Sequence, residues 1–182
     1  IPVVVTYTFA TSTEVADGEI PQLANTSQFS SLLPFSNILD VALEQIETVS
    51  GVRFVDVTDS LGADGAMITF AGGADQSLNR DTYAGAPYVD ETTLTPSIVF
   101  VSSDLLPTDI LDDALLHETL HAMGVFRLAG FDSGIPTIDP DPTTPNVDLF
   151  DIQQLQALYG TQAALADWQV QTVQDPDLPT VR

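Results

Sequence analysis

Both histidines of the 182-residue chain fall within five positions, His117-Glu118-Thr119-Leu120-His121. On a helix, residues i and i+4 lie one turn apart on the same face, so both imidazoles can address one metal ion. Glu118 is turned about 100° from His117, which sets its carboxylate beside such an ion rather than on it. Zinc polarises a carbonyl oxygen and lowers the pKa of a coordinated water to about 7, and a carboxylate at that distance can accept the proton. Leu116, Leu120 and Met123 are placed to pack the opposite side of the helix. Gly124 follows His121 by three residues on the metal face, where a helix can end and the chain turn back. The competing account is bland: two neutral surface histidines beside a solvated Glu118.

The elements around this helix follow from apolar spacing. Val3 to Ala10 is β-branched and aromatic and reads as a strand. The polar stretch 11–28, with Gly18 and Pro21, reads as a loop. Phe35, Ile38, Leu39, Ala42, Leu43, Ile46 and Val49 recur at helical spacing, and Gly51 ends that helix. Val52 to Val57, Ala66 to Phe70 and Ile98 to Val101 read as strands, with Gly72, Gly73 and the run to Ala86 as a loop. The zinc-type helix is expected over Thr108 to Phe126, with Thr108 as N-cap and Asp109, Asp112 and Asp113 at its positive end. After an irregular, proline-rich stretch from Phe131 to Asn146, a last helix carries Leu149, Ile152, Leu155, Leu158 and Tyr159 on one face and stops at Gly160. The expected division is one domain over 1–160 and a tail or linker over 161–182.

Charge narrows the partners. The formal net charge is -22, from 26 acidic residues against four arginines and no lysine. Such a field repels nucleic acid and anionic membranes and suits a saline medium in which a Debye length of roughly 8 Å screens self-repulsion. It also attracts divalent cations. Asp59, Asp64, Asp139 and Asp141 would offer oxygen ligands to a structural Ca2+, although no stretch has helix-loop-helix calcium spacing. Cysteine is absent, so there is no disulfide framework. No signal segment opens the chain and no apolar run reaches the ~18 residues of a membrane span. With Ile1 as its first residue, the chain reads as a processed protein or an excised domain.

The octapeptide His117 to Gly124 resembles the first part of the metzincin zinc signature, and the chain as a whole is similar to the catalytic domains of serralysin-type and matrixin-type peptidases. Thr6-Tyr7-Thr8-Phe9, the long helix, Val52-Arg53-Phe54-Val55-Asp56 and Asp151 to Gly160 occur in the family's order. Gly65-Ala66-Met67-Ile68-Thr69-Phe70 is similar to the family's strand bordering the substrate cleft. The resemblance implies a secreted or cell-surface Zn2+ endopeptidase acting on polypeptide, with His117 and His121 as metal ligands and Glu118 as general base. Two departures stand out. Arg127 occupies the place of the family's third histidine, and a guanidinium has no free lone pair for zinc. No methionine follows Met123, so the family's methionine turn is missing or substituted. Three accounts stay open: a carboxylate takes the third position, with Asp132 nearest and Asp139 and Asp141 further along; Arg127 pairs with Asp132 or Glu118 where an ion would sit; or zinc is held by two histidines and a distant residue.

The expected fold is therefore α+β and zincin-like. It has a twisted mixed, mostly parallel sheet of about four or five strands, two long helices on one side and a C-terminal helix behind. The alternative to an active enzyme is an inactive peptidase-like domain, serving as a structural or binding module with further domains of a larger chain.

Overall fold

The computed structural model describes residues 3–17, 20, 23, 26–60, 65–75, 82–85, 97–103, 111–125 and 149–161. The chain is mixed α+β. Strands β1 (Val3–Phe9), β2 (Thr26–Ser30), β3 (Val52–Asp56), β4 (Ile68–Asp75), β5 (Thr82–Gly85) and β6 (Ser97–Ser102) form one sheet. Helices α1 (Ser12–Ala16), α2 (Ser36–Val49), α3 (Leu111–Ala122) and α4 (Leu149–Tyr159) complete the order. The sheet runs β3-β1-β4-β6-β5. The β3–β1, β1–β4 and β4–β6 pairs are parallel, whereas β5 runs antiparallel to β6.

Strand β4 is the axis of this sheet. Its first half, Ile68 to Phe70, pairs with Tyr7 to Phe9 of β1. Its second half pairs on the same edge with β2, antiparallel, through Ser30↔Gly72 and Phe29↔Gly73. The hand-over is marked by the Ala10 amide, which donates to Phe70 O at 2.9 Å. On the other edge β6 pairs with β4 from Ile68 to Gly73. Gly72 and Gly73 therefore lie within a strand and not in the loop expected there, because partners on both edges outweigh the weak strand preference of glycine. The same pairing corrects the reading of 65–70 as the strand bordering a cleft, since β4 is central. Among the described residues β5 pairs with β6 alone, and it packs against α3, so it is the sheet edge beside the histidine helix.

Burial explains the sequence pattern. Val5, Tyr7 and Phe9 alternate into the main core, where they meet Leu39, Ala42, Leu43 and Ile46 of α2 and Leu111, Leu115, Leu116 and Leu120 of α3. Tyr7 stands edge-on to Phe70 at 5.8 Å and to Phe9 at 5.9 Å, a geometry worth roughly 0.5–1.5 kcal/mol per pair beyond the area buried. The other sheet face carries a smaller core of Ala10, Ile20, Leu23, Ala71, Ile98 and Phe100. Strand β6 is buried at all six positions, which accounts for its unbroken apolar run.

Three elements lie wholly or partly inside the stretches expected to be loops, and one is β2, whose first three residues fall within 11–28. Helix α1 is set by a capping box: Thr11 Oγ1 accepts from the Glu14 amide at 3.2 Å while Glu14 Oε2 accepts from the Thr11 amide at 2.7 Å. Strand β5 is four residues long and held by β6. Helix α2 ends at Ser50, whose Oγ donates to Ile46 O at 2.7 Å. The next residue, Gly51, meets the end of α4: its amide donates to Gly160 O at 2.9 Å, and a Cβ there would sit 2.4 Å from Tyr159 O.

Two outcomes follow. Gly51→Ala forces backbone apart at the α4 contact and lowers unfolding stability by about 1–3 kcal/mol, measurable by denaturant titration. Tyr7 gives the second. Burial, then the carboxylates Asp56, Asp40 and Glu47, push its pKa from 10.0 up to about 12. The folded state holds the neutral phenol, so this contribution is complete below pH 10 and is lost as pH rises towards about 12. With neither lysine nor cysteine present, tyrosines dominate side-chain titration in that window. Thermal melts of Tyr7→Phe across it will fall less steeply than those of the unsubstituted protein.

Candidate metal centre

Helix α3 presents two different sides. Leu111, Ala114, Leu115, Leu116, Glu118, Thr119, Leu120 and Ala122 are buried, whereas His117 and His121 are half-buried and lie one turn apart. The two imidazole rings stand edge-on, with centroids 4.5 Å apart. The buried Thr119 hydroxyl is satisfied within the helix by Leu115 O at 2.6 Å.

The C-terminal end of α3 is built around Gly124. This residue has φ +82, the left-handed region that glycine enters without a Cβ penalty. Its amide donates to His121 O at 2.9 Å, and the Val125 amide donates back to Leu120 O at 2.9 Å. That pair of bonds is a Schellman cap, and the accompanying apolar contact is supplied by buried Val125 and Leu120 within the main core. The remaining carbonyls of the last turn also find donors. Ser97 Oγ donates to Ala122 O at 3.1 Å, and Tyr159 Oη donates to Met123 O at 2.5 Å. The helix stops at this cap, short of the Phe126 boundary expected from apolar spacing.

The cap has a chemical consequence. It returns the chain so that Val125 O lies 3.0 Å from His121 Nδ1. A carbonyl oxygen only accepts, so Nδ1 is the donor, and in the neutral ring Nε2 then keeps its lone pair. This is how proteins commonly orient an imidazole that binds metal through its other nitrogen. This donor chemistry is of the kind that suits a divalent ion with an affinity for imidazole, and His117 lies one turn away. Glu118 is only 5% exposed. Burying a carboxylate is costly unless it is paired or hydrogen-bonded, so the account of a solvated Glu118 on a plain helix surface does not hold.

Among the described residues, no group of three or more His, Cys, Asp or Glu side chains is gathered to hold an ion. The sequence-derived third ligand, Asp132, lies outside the described residues, as do Arg127, Thr108, Asp64, Asp139 and Asp141. Asp59 is exposed in the turn that follows β3. Sequence reasoning did not single out Val125 as the partner of His121, or Ser97 and Tyr159 as donors to the α3 cap. The readable signal was Gly124, since a glycine three residues after His121 announces a returning chain whose carbonyls come back over the last turn. The sequence matches no protein-family model and no curated protein.

Gly124→Ala separates conformation from packing. Among the described residues no atom beyond its chain neighbours lies within 4 Å of the added Cβ, so the cost is that of placing a non-glycine residue in the left-handed region, about 1 kcal/mol. A chemical denaturation midpoint shifted by that amount, with a native-like circular dichroism spectrum, is the expected result.

Proposed function

We propose that this chain is a zinc-dependent endopeptidase domain of the zincin type. In this reading His117 and His121 hold Zn2+, Glu118 is the general base, and a polypeptide is the substrate. The observation that carries it is the Nδ1 contact of His121 with Val125 O, which prepares Nε2 for a metal. The half-buried His117 beside it and the buried Glu118 next in sequence add the second ligand and the base. Bound zinc would supply a Lewis acid for the scissile carbonyl and an acidified water. Glu118 would serve as the base for such a water and as the proton donor to the leaving amine. Asp132 is proposed as the third ligand, since carboxylate oxygen completes two-histidine zinc sites.

Strand β5 supports the assignment of substrate. As the sheet edge packed against α3, it can accept an extended peptide by β-augmentation and deliver its backbone to the histidine helix. The proposed setting is secreted or at the cell surface, where a net charge of -22 is well screened. Among the described residues no helix is long and apolar enough to cross a membrane.

Arg127 favours a second reading, a peptidase-like domain without activity that serves as a binding or structural module. The two are separated by zinc content and casein cleavage of the unsubstituted protein and of Glu118→Ala. The enzyme reading predicts stoichiometric zinc in both, with cleavage falling by at least about a hundredfold in the variant. Stoichiometric zinc without cleavage that depends on Glu118 would remove the catalytic claim and leave the metal site. Absence of zinc together with indifference of the melting temperature to chelators would favour the inactive module.

A further inference from the structure

The last turn of α3 is held from two directions by hydroxyls that belong to distant parts of the chain. Ser97, at the start of β6, donates to Ala122 O, and Tyr159, the last residue of α4, donates to Met123 O. These are the two carbonyls that immediately follow His121, and the two residues that carry them lead directly into Gly124 and Val125. Neither hydroxyl is free to drift. Ser97 is 2% exposed and its amide donates to Met67 O at 2.8 Å. Tyr159 is fixed by the seating of α4, where Gln156 Nε2 donates to Val49 O at 2.9 Å and Gly160 O accepts from the Gly51 amide at 2.9 Å.

We propose that Tyr159, together with Ser97, is a positioning residue for His121, holding the cap of α3 so that Val125 O stays on His121 Nδ1. The phenol's hydrogen bond goes to a backbone carbonyl of the cap. It acts through Met123 O, one residue before the left-handed glycine that aims Val125 at the ring. A last helical turn with free carbonyls can fray and rotate, and a small rotation there carries Val125 O out of hydrogen-bond range. The imidazole would then lose the partner that selects its tautomer. Helix α4 thus links the α2–β3 junction at Gly51 to the ligand geometry of α3. The inference rests on the zinc reading for the purpose of His121, but the tautomer is a property of the metal-free chain.

The chain's having two histidines makes the test clean. Nitrogen-15 spectra of the imidazoles in metal-free protein report which ring nitrogen carries the hydrogen. In the unsubstituted protein His121 will show it on Nδ1. In Tyr159→Phe, which keeps the ring and loses only the hydroxyl, His121 will shift towards the Nε2–H form while the unfolding transition stays cooperative. Zinc affinity, read by competition with a chelating dye, will fall by about tenfold. A folded Tyr159→Phe protein with the His121 signal unchanged overturns the proposal, as does an unsubstituted protein with the hydrogen on Nε2. If Tyr159→Phe does not fold, Ser97→Ala carries the same expectation and the same refutation. Should the unsubstituted protein bind no zinc, the zinc-peptidase reading fails, and the tautomer measurement still decides this one.

Discussion

The left-handed turn at Gly124 is the constraint on which the rest of the site depends. Without it α3 would continue, and the carbonyl of residue 125 would run along the helix axis instead of back over His121. With it, one short backbone segment ends the helix, buries Val125 against Leu120 and sets a carbonyl oxygen on His121 Nδ1. A site of this kind asks for no unusual side chain. It asks for a glycine at one position and for donors on the carbonyls that a helix end leaves open.

Those donors come from opposite ends of the fold, which makes the site a product of the whole packing. Ser97 reaches the cap because β6 lies beside the central strand β4 and is buried on both faces. Tyr159 reaches it because α4 closes over the α2–β3 junction, an approach close enough that only glycine fits at position 51. The apolar core of Tyr7, Phe9, Phe70 and the two long helices fixes the distance between these supports. Packing thus sets the backbone around His121 through hydroxyl-to-carbonyl hydrogen bonds.

Much of this was legible in the residues themselves. The apolar stripe of Leu39, Ala42, Leu43 and Ile46 marked α2, and the closing helix and its stop at Gly160 were equally plain, because each rests on local periodicity and a terminating residue. What escaped was set by partners distant in sequence. Gly72 and Gly73 join β4 because β2 and β6 hold both edges, and the four residues of β5 are a strand because β6 is there to receive them. Helix α1 had a local signal, the Thr11–Glu14 capping box, inside a stretch whose polarity suggested a loop. The chemistry followed the same division. His117, Glu118 and His121 were visible as a pattern, whereas the carbonyl on His121 Nδ1 and the hydroxyls on the α3 cap depend on where β6 and α4 finally sit.

Arg127 keeps the question of activity sharp, because it stands where the resemblance to metzincins would place a third histidine. The central claim is that the two-histidine face binds zinc through imidazole. Zinc-edge X-ray absorption on zinc-loaded protein tests it most directly. The account predicts a four-coordinate shell with two imidazole nitrogens at about 2.0–2.1 Å and oxygen in the remaining positions. A shell of oxygen alone, or failure of the folded protein to retain zinc, would contradict it.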